Sequence, residues 1–69
     1  MTKAEAIQRA RQQLADPRNY DPGLVAYMLT DFIGRDEPLY DLAWGLGHDG
    51  SCHKNDVIGL IELMERPGA

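Results

Sequence analysis

Four side chains able to ligate a metal or move a proton, His48, Asp49, Cys52 and His53, fall within six consecutive positions. Zinc accepts all three residue types. The spacing does not make a tetrahedral set, because Cys52 and His53 are adjacent and no second ligand pair exists elsewhere to close a structural site. A nucleophilic Cys52, activated by His48 or His53, would need an electropositive and partly enclosed pocket. A loop on a chain of 69 residues is a poor source of one. The run Asp49-x-Ser51-x-His53 begins like a calcium loop, but Lys54 and Leu60 stand where glycine and glutamate are required. The stretch reads as a solvated loop with Asp49-Gly50 as its turn. The sequence assigns no catalytic residue, no metal ligand and no cofactor.

Residues suited to recognition sit elsewhere. In a helix beginning near Pro38, Tyr40 and Trp44 lie one turn apart on the flank of an apolar face, with Asp41 farther round and Asp36-Glu37 at the start. Tyrosine and tryptophan are the residues most often found at binding hot spots. A helix over 22–33 leaves Tyr27, Thr30 and Asp31 on its uncovered arc. If both helices face one way, Asp31, Asp36, Glu37 and Asp41 make a single acidic patch beside the rings. Glu37 and Asp41 are about 6 Å apart along the axis, close to the spacing of successive phosphates on a strand. The competing reading is that the rings close the edge of a small core and the acids solvate it.

The elements that must position these residues are helical. Leu24–Ile33 is the longest nearly unbroken apolar stretch, with Asp21-Pro22 as cap and first helical residue and Gly34 as the stop. Leu24, Met28, Phe32, Val25, Leu29, Ile33 and Ala26 cover an arc of roughly 200°. More than one neighbour is needed to bury so wide an arc, so this helix should be central. Before it, Thr2 and Glu5 fit a capping box, and Ile7, Ala10 and Leu14 form a narrow stripe edged by Ala4 and Ala6, ending at Asp16-Pro17. Tyr20 is placed to staple onto Val25. Leu39, Leu42, Ala43 and Leu46 give the third helix its buried face, with Asp36 as cap and Gly47 as terminator. The fourth, capped by Asn55 or Ser51, buries Val57, Leu60, Ile61 and Met64 and ends at Pro67-Gly68. Gly59 costs about 1 kcal/mol there relative to alanine, which suggests that close packing requires it. Glu5–Arg9 and Glu62–Arg66 are i,i+4 pairs. The expectation is an all-α, compact bundle of about four short helices around a central helix 22–33, one domain over 1–69.

Size and charge narrow the function. A chain of this length buries only about 60% of its unfolded surface, so an enclosed active site would cost core it can hardly spare; an enzyme is not expected. One cysteine excludes an internal disulfide framework and suits a reducing cytoplasm. Met1-Thr2-Lys3 leads directly into a charged helix, giving no sign of a leader, and no apolar run approaches the ~20 residues of a membrane span. The net charge is −4. Residues 1–18 carry four cations against two carboxylates, and residues 19–69 carry three against nine. Direct nucleic-acid binding does not fit that balance; a basic protein partner does.

Short, acidic, all-helical and cytoplasmic in character, the chain resembles the phage-encoded inhibitors of bacterial defence, the small anti-CRISPR proteins in particular. The resemblance is one of size, charge and helical class over the whole chain, since such inhibitors share no motif. It implies a CRISPR surveillance complex as partner, such as a type I complex, in the host cytoplasm. The inhibitor would occupy the basic surface that reads target DNA, as a DNA mimic. Asp31, Asp36, Glu37, Tyr40, Asp41 and Trp44 are the residues at which that contact is expected. The alternative is a generic helical interaction or regulatory module that binds through its aromatic flank. Oligomeric state is not legible.

Overall fold

A computed structural model describes residues 1–18 and 21–66. Among these residues the protein is all-α, with α1 (Lys3–Ala15), α2 (Pro22–Thr30), α3 (Pro38–Gly47) and α4 (Lys54–Met64) and no strand. Tyr20, with its expected staple, and the Pro67-Gly68 stop lie outside the described residues. The radius of gyration, 11.0 Å, matches the roughly 11 Å of a compact chain of this length. Both α2 and α4 touch every other helix, whereas α1 and α3 do not meet. The centre of the bundle is therefore shared between α2 and α4.

The first helix follows its caps. Glu5 N–H donates to Thr2 Oγ1 at 3.2 Å and Thr2 N–H to Glu5 Oε1 at 3.1 Å, the reciprocal box. That use of Glu5 displaces the expected Glu5–Arg9 pair, which is not formed among the described residues. Ala6, Ile7, Ala10 and Leu14 are buried. From the flank of this stripe Arg11 reaches the C-terminal end of α4, where its guanidinium donates to both carboxylate oxygens of Glu65 at 2.9 and 2.6 Å. The two parallel bonds of this cross-helix fork fix geometry as well as charge, and the predicted Glu62–Arg66 pair is not formed among the described residues. The arginine holds the Glu65 carboxyl below its ordinary range, chiefly through those hydrogen bonds.

The second helix begins as expected, Asp21 Oδ1 accepting from Leu24 N–H at 3.3 Å with Pro22 in the first turn. It ends at Thr30 rather than Ile33. Phe32 N–H donates to Leu29 O at 3.0 Å and Ile33 N–H to Thr30 O at 3.2 Å. These tighter i→i+3 turns still carry Ile33 into the core. Gly34 does not stop the helix; it opens the next turn, its carbonyl accepting from Glu37 N–H at 3.0 Å.

Two wheel assignments on α2 are corrected. Leu24, placed in the core arc, is 66% exposed, and Thr30, placed on the open arc, is 6% exposed. The cause lies at Gly23 and Gly47. A β-carbon at Gly47 would fall 3.1–3.2 Å from the N, Cα and Cβ of Tyr27, and one at Gly23 would fall 3.4 Å from Leu46 O. The α3 backbone thus approaches α2 closely at Gly23 and Tyr27, the side of α2 on which Ala26 and Thr30 are buried, rather than at Leu24. Thr30 tolerates burial because its hydroxyl donates to the Tyr27 carbonyl.

On α3 only Ala43 is fully buried. Leu39 and Leu46 are half-buried, and Leu42, expected inside, is 43% exposed. The cap is Glu37, not Asp36, and Glu37 makes no side-chain capping bond because its carboxylate turns back to accept from Gly34 N–H at 3.0 Å. The last helix buries Val57, Leu60, Ile61 and Met64 as expected. Its cap is His53, in place of Asn55 or Ser51: Nδ1 accepts from Asn55 N–H at 3.2 Å, and Asp56 Oδ2 accepts from His53 N–H at 3.0 Å. Gly59 has nothing within 4 Å of a β-carbon position, so packing does not require it.

Candidate functional site

The 31–37 connection turns the chain so that α2 and α3 run antiparallel, the start of α2 against the end of α3. Contact of Gly47 with the Tyr27 backbone sets the next residue, His48, beside the Tyr27 ring, with centroids 5.4 Å apart and planes tilted by 56°. One turn back along α3, Trp44 stacks on His48 with centroids 3.8 Å apart and planes at 20°. His48 Nδ1 lies 2.8 Å from the Trp44 carbonyl. A carbonyl only accepts, so Nδ1 carries the proton and the ring is held flat against the indole. Tyr27 remains 51% exposed and Trp44 49%.

Sequence spacing extends this face on both helices. Leu24, Tyr27 and Asp31 on α2, and Asp41, Trp44 and His48 on α3, each follow the i, i+3, i+7 interval of one helix side. All six are exposed. The result is an apolar and aromatic patch where α2 starts and α3 ends, with carboxylates toward the connection. Asp36 and Glu37 are exposed there too, though both side chains lie over Gly34. Tyr40 is half-buried against the core and makes no ring contact with Trp44 among the described residues.

Of the six residues anticipated for partner contact, Asp31, Asp41 and Trp44 therefore share the face. Asp36 and Glu37 edge it at the connection, and Tyr40 serves the core. Tyr27, His48 and Leu24 were missed as site residues. The matching i, i+3, i+7 sets were visible in the sequence, but only the Gly47 contact brings the two strips side by side.

The 48–53 loop is occupied with its own backbone. Asp49 Oδ1 accepts from Ser51 N–H at 2.9 Å and from Ser51 Oγ–H at 2.7 Å, which holds its carboxyl below the usual range. Burial, and then the carboxylates of Asp56, Asp49 and Asp21, push the Cys52 thiol up. A thiol so placed is a poor nucleophile at neutral pH. His53 is the α4 cap and His48 is in the aromatic stack. Among the described residues, no three His, Cys, Asp or Glu side chains are grouped to hold a metal ion, and no helix is long and apolar enough to cross a membrane. No protein-family model, curated protein or solved structure matches the chain.

Proposed function

We propose that the chain is a non-catalytic protein-binding module whose contact surface is the α2–α3 face centred on Tyr27, Trp44 and His48. The observation that supports this reading is the company of three large side chains, Leu24, Tyr27 and Trp44, each about half exposed or more on neighbouring helices. A domain of 69 residues has few apolar groups to spare from its core. Contiguous exposed rings edged by polar groups are the usual mark of a docking surface. The double substitution Tyr27→Ala/Trp44→Ala tests it: the variant stays folded and loses its partner, whereas retained binding would put the contact elsewhere.

A second reading makes the partner a CRISPR surveillance complex and the chain an anti-CRISPR inhibitor that mimics DNA in the host cytoplasm. It is favoured by the exposure of Asp31, Asp36, Glu37 and Asp41 at one end of the same hairpin. A basic groove built for phosphates would accept them. Its test is capture of a type I complex with and without excess double-stranded DNA. Competition by DNA, and loss of capture on reversing Asp36, Glu37 and Asp41 to lysine, are expected. Capture that DNA and the triple reversal leave unchanged would dismiss mimicry and keep the aromatic-led reading.

A further inference from the structure

From Asp21 to Asp49 the chain carries six carboxylates, Asp21, Asp31, Asp36, Glu37, Asp41 and Asp49, against one cation, Arg35. That is a net −5 within a chain of net −4, so the remainder is +1 and the whole excess of negative charge belongs to the α2–α3 hairpin. The aromatic patch lies on this hairpin. One face of the Trp44 ring rests on His48 while half of the residue stays open to solvent. Asp41 is one turn away on the same helix side, within about 5–6 Å between β-carbons. An open indole next to an exposed carboxylate is complementary to a planar cation. A guanidinium can stack on the ring and donate two hydrogen bonds to the carboxylate, and it sheds water more readily than an ammonium.

We propose that the occupant of this face is an arginine-bearing segment of a partner protein, with one guanidinium stacked on Trp44 and bonded to Asp41. The aliphatic part of that segment lies along Tyr27 and Leu24. The assignment rests on the protein-binding reading above and specifies the partner's chemistry. Arginine is selected over lysine because an ammonium offers neither the flat stacking surface nor the paired donors. Asp31, on the same side of α2 as Tyr27, supplies a second counter-charge.

Trp44 is the sole tryptophan, so all indole fluorescence comes from this site. The experiment is a titration of the whole chain with blocked hexa-arginine peptide, beside hexa-lysine and hexa-glutamate. Hexa-arginine is expected to give a saturable change, binding at least about twofold more tightly than hexa-lysine, with no response to hexa-glutamate. Asp41→Asn and Tyr27→Ala should each weaken hexa-arginine about fivefold, the size of a modest cation–π or charge contact. Glu62→Gln, an exposed acid on α4, should leave it unchanged. Both site variants remove exposed groups, and an unchanged circular-dichroism melt verifies their fold. No saturable change, equal affinity for lysine, or indifference to Asp41→Asn overturns the assignment. If a protein partner is still lost on Tyr27→Ala/Trp44→Ala after such a failure, the docking face stands and only its arginine chemistry falls.

Discussion

Helices α3 and α4 carry the same apolar interval and meet different fates. Leu39, Leu42, Ala43 and Leu46 on α3 repeat the i, i+3, i+4, i+7 spacing of Val57, Leu60, Ile61 and Met64 on α4. On α4 all four are buried; on α3 only Ala43 is. The difference is in what each helix lies against. The fourth packs on α1, α2 and α3 and is fixed by a capping box at one end and the Arg11–Glu65 fork just past the other. The third meets α2 through Gly47 and the backbone of Tyr27, borders α4, and makes no contact with α1. Close backbone approach on one edge leaves the leucine edge half-covered and turns Trp44 outward. An identical pattern thus gives a core helix in one place and a presenting helix in the other.

The largest expected contrast is between matched leucines. Leu60→Ala should destabilise the protein by about 2–5 kcal/mol, the range for emptying a closed core site. Leu42→Ala, at the same place in the pattern, should cost less than about 1 kcal/mol. Urea denaturation of the two variants measures the gap, and equal losses would erase the distinction between the helices.

Glycines sharpen the comparison next. Gly47→Ala should cost about 1–3 kcal/mol, because the new methyl presses on backbone atoms of Tyr27 that cannot swing away. Gly45→Ala on the same helix and Gly59→Ala on α4 meet nothing within 4 Å. Each should raise stability by about 0.4–1 kcal/mol through helix propensity and a less free unfolded chain. Thermal melts of the three variants read the signs directly, and a stabilising Gly47→Ala would remove the reason given for the α3 geometry.

The smallest effect is electrostatic. Glu65 is held below its ordinary range in the folded protein, so its contribution is present above the unfolded carboxylate value, about 4.3, and is lost as the pH falls through the depressed folded one. Arg11→Ala should therefore lower the melting temperature slightly at pH 7, and the difference from the native chain should shrink as the pH falls below the ordinary carboxylate range. The pair is half-exposed, and added salt should shrink the pH 7 difference as well.

Much of this fold was legible because local chemistry decided it. The Thr2/Glu5 box, the Asp21-Pro22 start and the α4 core are each dictated within a few residues. What escaped was decided by contact between helices. A wheel of hydrophobicity places Leu24 inside and Thr30 outside, but a helix that approaches closely at Gly23 and Tyr27 reverses both. The His53 cap was hidden because histidine is seldom counted among capping residues, though its Nδ1 accepts as a side-chain oxygen does. The candidate site was half legible for the same reason. Trp44, Asp41 and Asp31 follow from their own helices, whereas Tyr27 and His48 join them only through the Gly47 crossing.

The central claim is that the rings on α2 and α3 are displayed for a partner rather than closing the edge of the core. Thermal unfolding of Tyr27→Ala/Trp44→Ala, followed by circular dichroism alongside the native chain, tests it most directly. A melting temperature within a few degrees of the native one, with the transition still cooperative, is the predicted result. A collapse of the transition, of the size expected for Leu60→Ala, would show the rings to be structural and would contradict the account.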